Sequence, residues 1–322
     1  MTNAEQWQRS GFEALERGDV DAALAAAEEL RALRNTAAFE IGALAHLRAG
    51  RADEALQMLE EGVEHGPDVW LLWQLLGNVQ SDLGRAKDAR AAYDRAAGCT
   101  EADLASIDLN RSILATRDGR GEDALAALAR HDDAALRSRG DDIWVRYAWS
   151  EACALLALHR PDEARDRLER ALEHEHEPEQ PADLLASLAE AHLDLEDPAA
   201  ATAAARRALA YERGHAHALW CIREAEGVTV QAARSFRIVV EGALPEAPED
   251  APGMTGFYTT YEAVGENLED ALARARGLEP DGVQASIRVS ESEEFALDEP
   301  VPSGVYGMYP YHLFDPNGDD AE

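Results

Sequence analysis

Apolar and small residues recur along the first two thirds of the chain at spacings of three and four, the period of an amphipathic helix. The stretch "WLLWQLLGNVQSDLGRAKDARAAYDRAAG", Trp70 to Gly98, shows the pattern most clearly. One apolar run closes at Gly84, and a second opens with Ala89 on its inner face. The same phrase returns elsewhere: Gly18 goes with Ala23, Gly50 with Ala55, Gly84 with Ala89 and Gly119 with Ala124, the glycines 32, 34 and 35 residues apart. Ala164 and Ala201 continue the series at longer intervals. A repeat of this length predicts hairpins of two helices with a tight turn at the glycine. One hairpin cannot bury its apolar face alone, so successive hairpins are expected to stack around a shared core. "AHALWCIREAE", Ala216 to Glu226, reads as a capping helix.

Two polar stretches interrupt the series. "DDAALRSRGDD" (Asp132 to Asp142) and "EHEHEPEQP" (Glu173 to Pro181) both read as surface loops. After Gly227 the period shortens to two. "SFRIVVE" (Ser235 to Glu241), "GFYTTYEAV" (Gly256 to Val264) and "QASIRVSES" (Gln284 to Ser292) predict strands. An acidic, proline-bearing loop separates the first two, and a helix capped by Asn267 and stopped by Gly277 separates the last two. That order implies a small α+β sheet packed on one helix. The tail "GVYGMYPYHLF" (Gly304 to Phe314) carries Tyr306, Tyr309, Tyr311 and Phe314. It reads first as an edge strand or a packed chain end, and alternatively as an aromatic contact patch for a partner. The expected organisation is therefore a helical-repeat region over 1–226 and a small α+β domain over 227–322.

The repeat resembles the tetratricopeptide repeat (TPR) family. The third unit carries the resemblance best, in Trp73, Leu76, Gly77, Ala89 and Tyr93, although Gln80 stands where the family usually has tyrosine. Phe39, Ala43, Gly50, Ala55, Leu59 and Pro67 hold the equivalent places in the second unit, and Trp7, Gly11, Gly18 and Ala23 in the first. More degenerate units fall at about 105 to 135, 145 to 175 and 182 to 212. The resemblance implies a mainly α fold, a right-handed solenoid of hairpins, and protein binding in a concave groove lined by the first helix of each pair. It places Gln74, Asn78, Asn110, Arg146 and Trp149 on that groove. Asn78, Asn110 and Arg146 are similar to part of the carboxylate clamp of co-chaperone repeat domains. Gln74 stands where that clamp has a lysine, and Ser150 where it has a second basic residue. The groove is therefore expected to offer hydrogen bonds and aromatic surface to an extended or helical protein segment. A structural role for Asn78, bonding to the neighbouring helix, is the competing expectation.

Composition narrows the classes of function. The chain of 322 residues has 63 acidic residues against 30 basic ones, a net charge of -33. Such a surface repels nucleic acid and anionic lipid and favours a basic protein partner. Solubility and adaptation to high salt would leave the same mark. No apolar run is long enough to span a membrane, and the N-terminal residues lack the apolar core of a signal peptide, so a cytoplasmic location is expected. Cys99, Cys153 and Cys221 are too far apart for a zinc motif.

Candidate chemistry is sparse. Gly119, Gly121 and Ala124 match a loose dinucleotide fingerprint, but no strand precedes them. His174 and His176 alternate with glutamates, and His215 and His217 open the capping helix; neither pair has metal-ligand spacing with a remote partner. No nucleophile elbow, phosphate loop or redox cysteine pair occurs. The expectation is a non-catalytic interaction protein without cofactor or metal, either an adaptor or an acidic, immunity- or antitoxin-like neutraliser of a basic toxin or nuclease.

Overall fold

The computed structural model describes residues 2–173, 181–229, 233–297, 299 and 301–316. The chain divides into two compact units, Met1–Ser138 and Arg139–Glu322. In the first, eight helices form four antiparallel pairs: α1 (Asn3–Glu16) with α2 (Val20–Ala32), α3 (Ala37–Arg48) with α4 (Ala52–His65), α5 (Trp70–Asp82) with α6 (Ala86–Ala97), and α7 (Leu104–Arg117) with α8 (Gly121–Leu128). A short helix, α9 (Asp133–Arg139), follows. In the second unit, α10 (Asp141–Ala157) pairs with α11 (Pro161–Leu172), α12 (Pro181–Asp194) pairs with α13 (Pro198–Tyr211), and α14 (Ala216–Glu226) packs on both α12 and α13.

Local chemistry sets the helix starts. Thr2 and Glu5 form a reciprocal capping box. Asp19, Asp103 and Asp197 accept backbone N–H groups at the starts of α2, α7 and α13. Pro161 and Pro198 stand in the first turns of their helices, where no N–H is needed.

The turn inside each pair has one residue in the left-handed region. These are Gly18, Gly50, Gly84 and Gly119 with φ of 70 to 73°, then His159 at 55° and Glu196 at 60°. The last two replace glycine at some steric cost, which explains why a glycine count loses the series in the second unit.

Counting from this turn residue exposes the packing rule. Five residues after it stand Ala23, Ala55, Ala89, Ala124, Ala164 and Ala201, each with no exposed surface. Seven before it stand Gly11, Ala43, Gly77, Ser112, Ala152 and Ala189, all small and buried where the two helices cross. Nine after it stand Ala27, Leu59, Tyr93, Leu128, Leu168 and Ala205, also buried. Neighbouring pairs share a core as well. Phe39 and Ala43 of α3 form one apolar cluster with Leu59 of α4 and with Leu72, Leu76 and Val79 of α5.

Two sequence expectations shift. The stretch from Asp132 to Asp142 is not a loop but mostly α9 and the start of α10. Asp132 caps α9 by accepting from Ala135 N at 2.9 Å, and Leu136 is buried, so a short helix forms inside a polar sequence. The strand expected from Gln284 starts later. Pro280 opens a helical turn, α16 (Asp281–Gln284), and Gln284 donates its side chain back to the Glu279 carbonyl at 2.7 Å.

The α+β part of the second unit is an antiparallel sheet of β1 (Arg234–Ala243), β2 (Gly256–Gly265), β3 (Arg288–Phe295), β4 (Gly304–Met308) and β5 (His312–Phe314). Its order is β3-β1-β2-β4, with β5 also on β2. Phe236, Ile238 and Val240 of β1 and Phe257 and Tyr261 of β2 are buried, and α15 (Leu268–Leu278) packs against β1, β2 and β4. The aromatic tail thus supplies strands, and β4 packs on α14.

Candidate protein-binding surfaces

The five groove residues expected from the sequence are divided between the two units. Gln74, Asn78 and Asn110 lie in the first; Arg146 and Trp149 lie in the second. In the first unit, α1, α3, α5 and α7 follow one another in contact, so the first helices of the pairs form one side.

Asn78 is half-buried, and its Oδ1 accepts the Tyr93 hydroxyl of α6 at 2.9 Å. Its neighbour explains the arrangement. A Cβ on Gly77 would lie 2.5 Å from Tyr93 Cε1, so glycine lets the ring lie flat across α5 and bring its hydroxyl to the next residue. Burial drives the Tyr93 phenol well above its ordinary value, with the Asp82 charge adding to the shift. Asn110 stands nine residues before Gly119, whereas Asn78 stands six before Gly84, so the two are one helical turn out of register.

Gln74 stands ten residues before its turn glycine, and its Oε1 is buried without a hydrogen-bond partner. Glu40 holds the same place in α3, the preceding first helix, half-buried and with no cation against it. Burial raises its pKa. Sequence reading missed Glu40; counting back from Gly50 would have paired it with Gln74. Gln74 Oε1 is thus a buried acceptor without a donor, and Glu40 is a half-buried carboxylate one repeat earlier.

A further carboxylate in this unit is fully engaged. Asp108, 2% exposed, accepts from Arg111 and Arg130 at 3.1 Å each and lies 3.1 Å from His131 Nε2. Arg111 also reaches Asp94 and the Tyr93 carbonyl, tying α7 to α6.

In the second unit Arg146 is exposed, while Trp149 is half-buried and donates Nε1 to Ser187 Oγ of α12 at 3.0 Å. Trp149 stands ten residues before His159 and so takes the place of Gln74. Farther along, His217 Nε2 lies 3.0 Å from Glu190, and its ring is 5.7 Å from that of Trp220.

The aromatic tail separates into two kinds of residue. Tyr306 and Tyr309 are exposed, with Arg223 stacked 3.9 Å over the Tyr306 ring. Tyr311 and Phe314 pack inward: Phe314 stacks on Tyr258 and fills the space above Gly256. Tyr311 belongs to a buried hub around Glu279, whose carboxylate accepts the Tyr261 hydroxyl at 2.6 Å, the Tyr311 hydroxyl at 2.5 Å and both terminal nitrogens of Arg213. Arg213 Nε also donates to the Tyr309 carbonyl at 2.8 Å. All four acceptor positions of a carboxylate buried to 0% exposure are thus used. Nothing in the local sequence marks Arg213 or Glu279.

Among the described residues no group of three or more His, Cys, Asp or Glu is placed to hold a metal ion, and no helix is long and apolar enough to cross a membrane. His174 and His176 lie outside the described residues.

With this geometry the comparisons agree. Residues 42–105 and 150–216 match the model of the tetratricopeptide repeat, one stretch in each unit. Within those two stretches the chain carries tetratricopeptide repeats. No curated protein is a significant match. Among solved structures, the APC/C hetero-tetramer Cut9–Hcn1 superposes with a TM-score of 0.59 at 17% identity, over 69% of this chain and 42% of that one. This chain therefore spans less than half of that relative. PilW, a type IV pilus biogenesis factor, gives 0.55 at 18% identity over 65% of this chain and 94% of its own. The pilF protein of Pseudomonas aeruginosa gives 0.55 at 13%, over 70% and 96%. At these identities the likeness is one of fold. The 227–322 region matches no family model.

Proposed function

We propose that this chain is a non-catalytic scaffold that holds a segment of a basic protein against the first helices of its hairpins. The observation that carries this reading is the pairing of Glu40 and Gln74. They hold the same repeat position on neighbouring first helices, a half-buried carboxylate beside an amide whose buried oxygen has no donor. A lysine or arginine from a partner would pair with the Glu40 carboxylate, whose charge burial disfavours, and a donor brought to Gln74 would remove the cost of an unpaired buried acceptor, about 1 to 3 kcal/mol. Asn110 offers a further polar contact in the first unit, and Arg146 and Trp149 offer polar and aromatic contacts of their own in the second. The tetratricopeptide repeats support protein binding in general, and the net charge of -33 supports a basic partner. In this reading the repeat helices within 1–226 supply a binding surface in each unit separately, and 227–322 form an appended α+β part.

The test is the double variant Glu40→Leu with Gln74→Leu. It should weaken a captured basic partner by about tenfold or more while thermal stability holds or rises, because the change removes one unsatisfied acceptor and one carboxylate whose charge burial disfavours. Unchanged affinity would refute the assignment. A second reading is favoured by the charge alone: a neutraliser that covers one basic toxin or nuclease. Capture of one tight basic protein supports it; capture of several supports an adaptor.

A further inference from the structure

The end strand β3 differs from the rest of the sheet. Its eight residues, "RVSESEEF", are all exposed, on both faces. It pairs with β1 on one side only, and among the described residues its backbone makes no bond beyond that ladder. Half of its N–H and C=O groups therefore point outward along a free edge of eight residues. Such an edge is a template for another strand unless something blunts it. Proline is absent, and α15 packs on β1, β2 and β4 but leaves β3 uncovered; a bulge at Ser290 breaks the ladder once, and pairing is regular from Glu291 to Phe295.

Charge decides which strand can add. Glu291 and Glu293 stand opposite Val239 and Arg237 of β1, so they project from one face, two residues apart. Neither has an ion-pair partner among the described residues. Arg237, the cation opposite Glu293, is turned to Glu262 of β2 at 3.1 Å and lies over the Phe295 ring. Only Glu294, on the other face, is paired, with Arg234. A second copy of this chain adding to the edge would bring its own Glu291 and Glu293 against these two, and like charges across a ladder are unfavourable. A segment with lysine or arginine at alternate positions meets both carboxylates in register. Phe295, 39% exposed at the end of the same face, offers an apolar contact beside them.

The geometry points to the free edge of β3 as a docking site for an extended, basic segment of a partner protein, which joins the sheet as a strand beyond β3. The site shares with the function proposed above a basic protein partner, but not the surface, so each can fail alone. Backbone pairing supplies the affinity and the Glu291–Glu293 face the selection.

The test uses the full chain and a labelled peptide of alternating lysine and threonine, matched to the eight residues of β3. Fluorescence anisotropy should show binding, with added hydrogen-exchange protection on the β3 amides. The same peptide methylated on alternate backbone nitrogens keeps its charge but cannot form the ladder, and should bind about tenfold or more weakly. The variant Glu291→Lys with Glu293→Lys should reject the lysine peptide and accept its alternating glutamate counterpart. In the Glu40→Leu, Gln74→Leu variant the lysine peptide should still protect the β3 amides from exchange. Equal binding of the methylated peptide would overturn the proposal, as would indifference to the charge reversal or self-association of the unaltered chain through β3.

Discussion

Replacing Gly77 by alanine tests the packing rule at its tightest point. The added methyl would sit 2.5, 2.7 and 3.0 Å from Cε1, Cδ1 and Cζ of Tyr93, a ring that is itself 2% exposed. The ring cannot swing into solvent, so it must shift within the core and carry its hydroxyl away from Asn78. Overpacking of this kind costs about 1 to 3 kcal/mol, and the lost Tyr93–Asn78 bond about 0.5 to 1.5 more. Alanine returns about 1 kcal/mol of helix propensity. The net expectation is a loss of about 1 to 3 kcal/mol, or several degrees in melting temperature. Urea unfolding followed by circular dichroism measures it. Tyr93→Phe isolates the hydrogen bond and should cost less. Tyr93→Leu should rescue Gly77→Ala, because Leu59 and Leu168 already face Ala43 and Ala152 at this position. A stabilised Gly77→Ala protein, or strict additivity of Gly77→Ala with Tyr93→Leu, would refute the reasoning.

Other outcomes follow from the buried groups and the charge. Glu279→Ala leaves Arg213 buried without its carboxylate and should destabilise the second unit by about 3 to 5 kcal/mol, seen in thermal unfolding. Tyr93, Tyr261 and Tyr311 all have phenol pKa values raised, burial first, with Glu279 adding to the shift for the last two. The folded state holds those protons, so this stability is complete below the ordinary tyrosine value of about 10 and drains away as pH rises above it; phenolate absorbance should appear together with unfolding. Burial pushes the Cys153 and Cys221 thiols up to about 12, so a thiol reagent at mildly alkaline pH should reach both only after denaturation. Association with a basic partner should slow steeply between about 50 and 500 mM salt while dissociation changes little; a salt-independent association rate would reduce the charge to a solubility device.

The helical repeats were legible because their signal is periodic. Turn glycines and the alanines five residues beyond them repeat through four hairpins. The series faded at His159 and Glu196 because the backbone there takes a glycine conformation without the residue that marks it. The sheet was legible in its two central strands, where burial enforces alternation. It blurred at β3, whose residues are exposed on both faces and keep no apolar period. Asn78 stands out in the sequence as a polar residue in an apolar helix. What it faces depended on Tyr93, fifteen residues away in the facing helix. The Glu279 hub was invisible because Arg213, Tyr261, Glu279 and Tyr311 meet only through folding, across a span of 98 residues. Gln74 could be named from its place in the repeat, but its missing partner could be found only from the packing around it.

The fit of Tyr93 into Gly77 also bears on how such a chain can be lengthened or shortened by recombination. The two residues at these positions differ from hairpin to hairpin: glycine and tyrosine in the third, alanine and leucine in the second and fifth, alanine and alanine in the sixth. A crossover inside a turn would graft one pair's second helix onto another's first and set Tyr93 against Ala43 or Ala189. A crossover between pairs keeps each match within a pair intact and alters only the core shared with the neighbouring pair. The heritable module is therefore the whole hairpin, and breakpoints that survive selection should fall in the links between pairs, away from the left-handed turns.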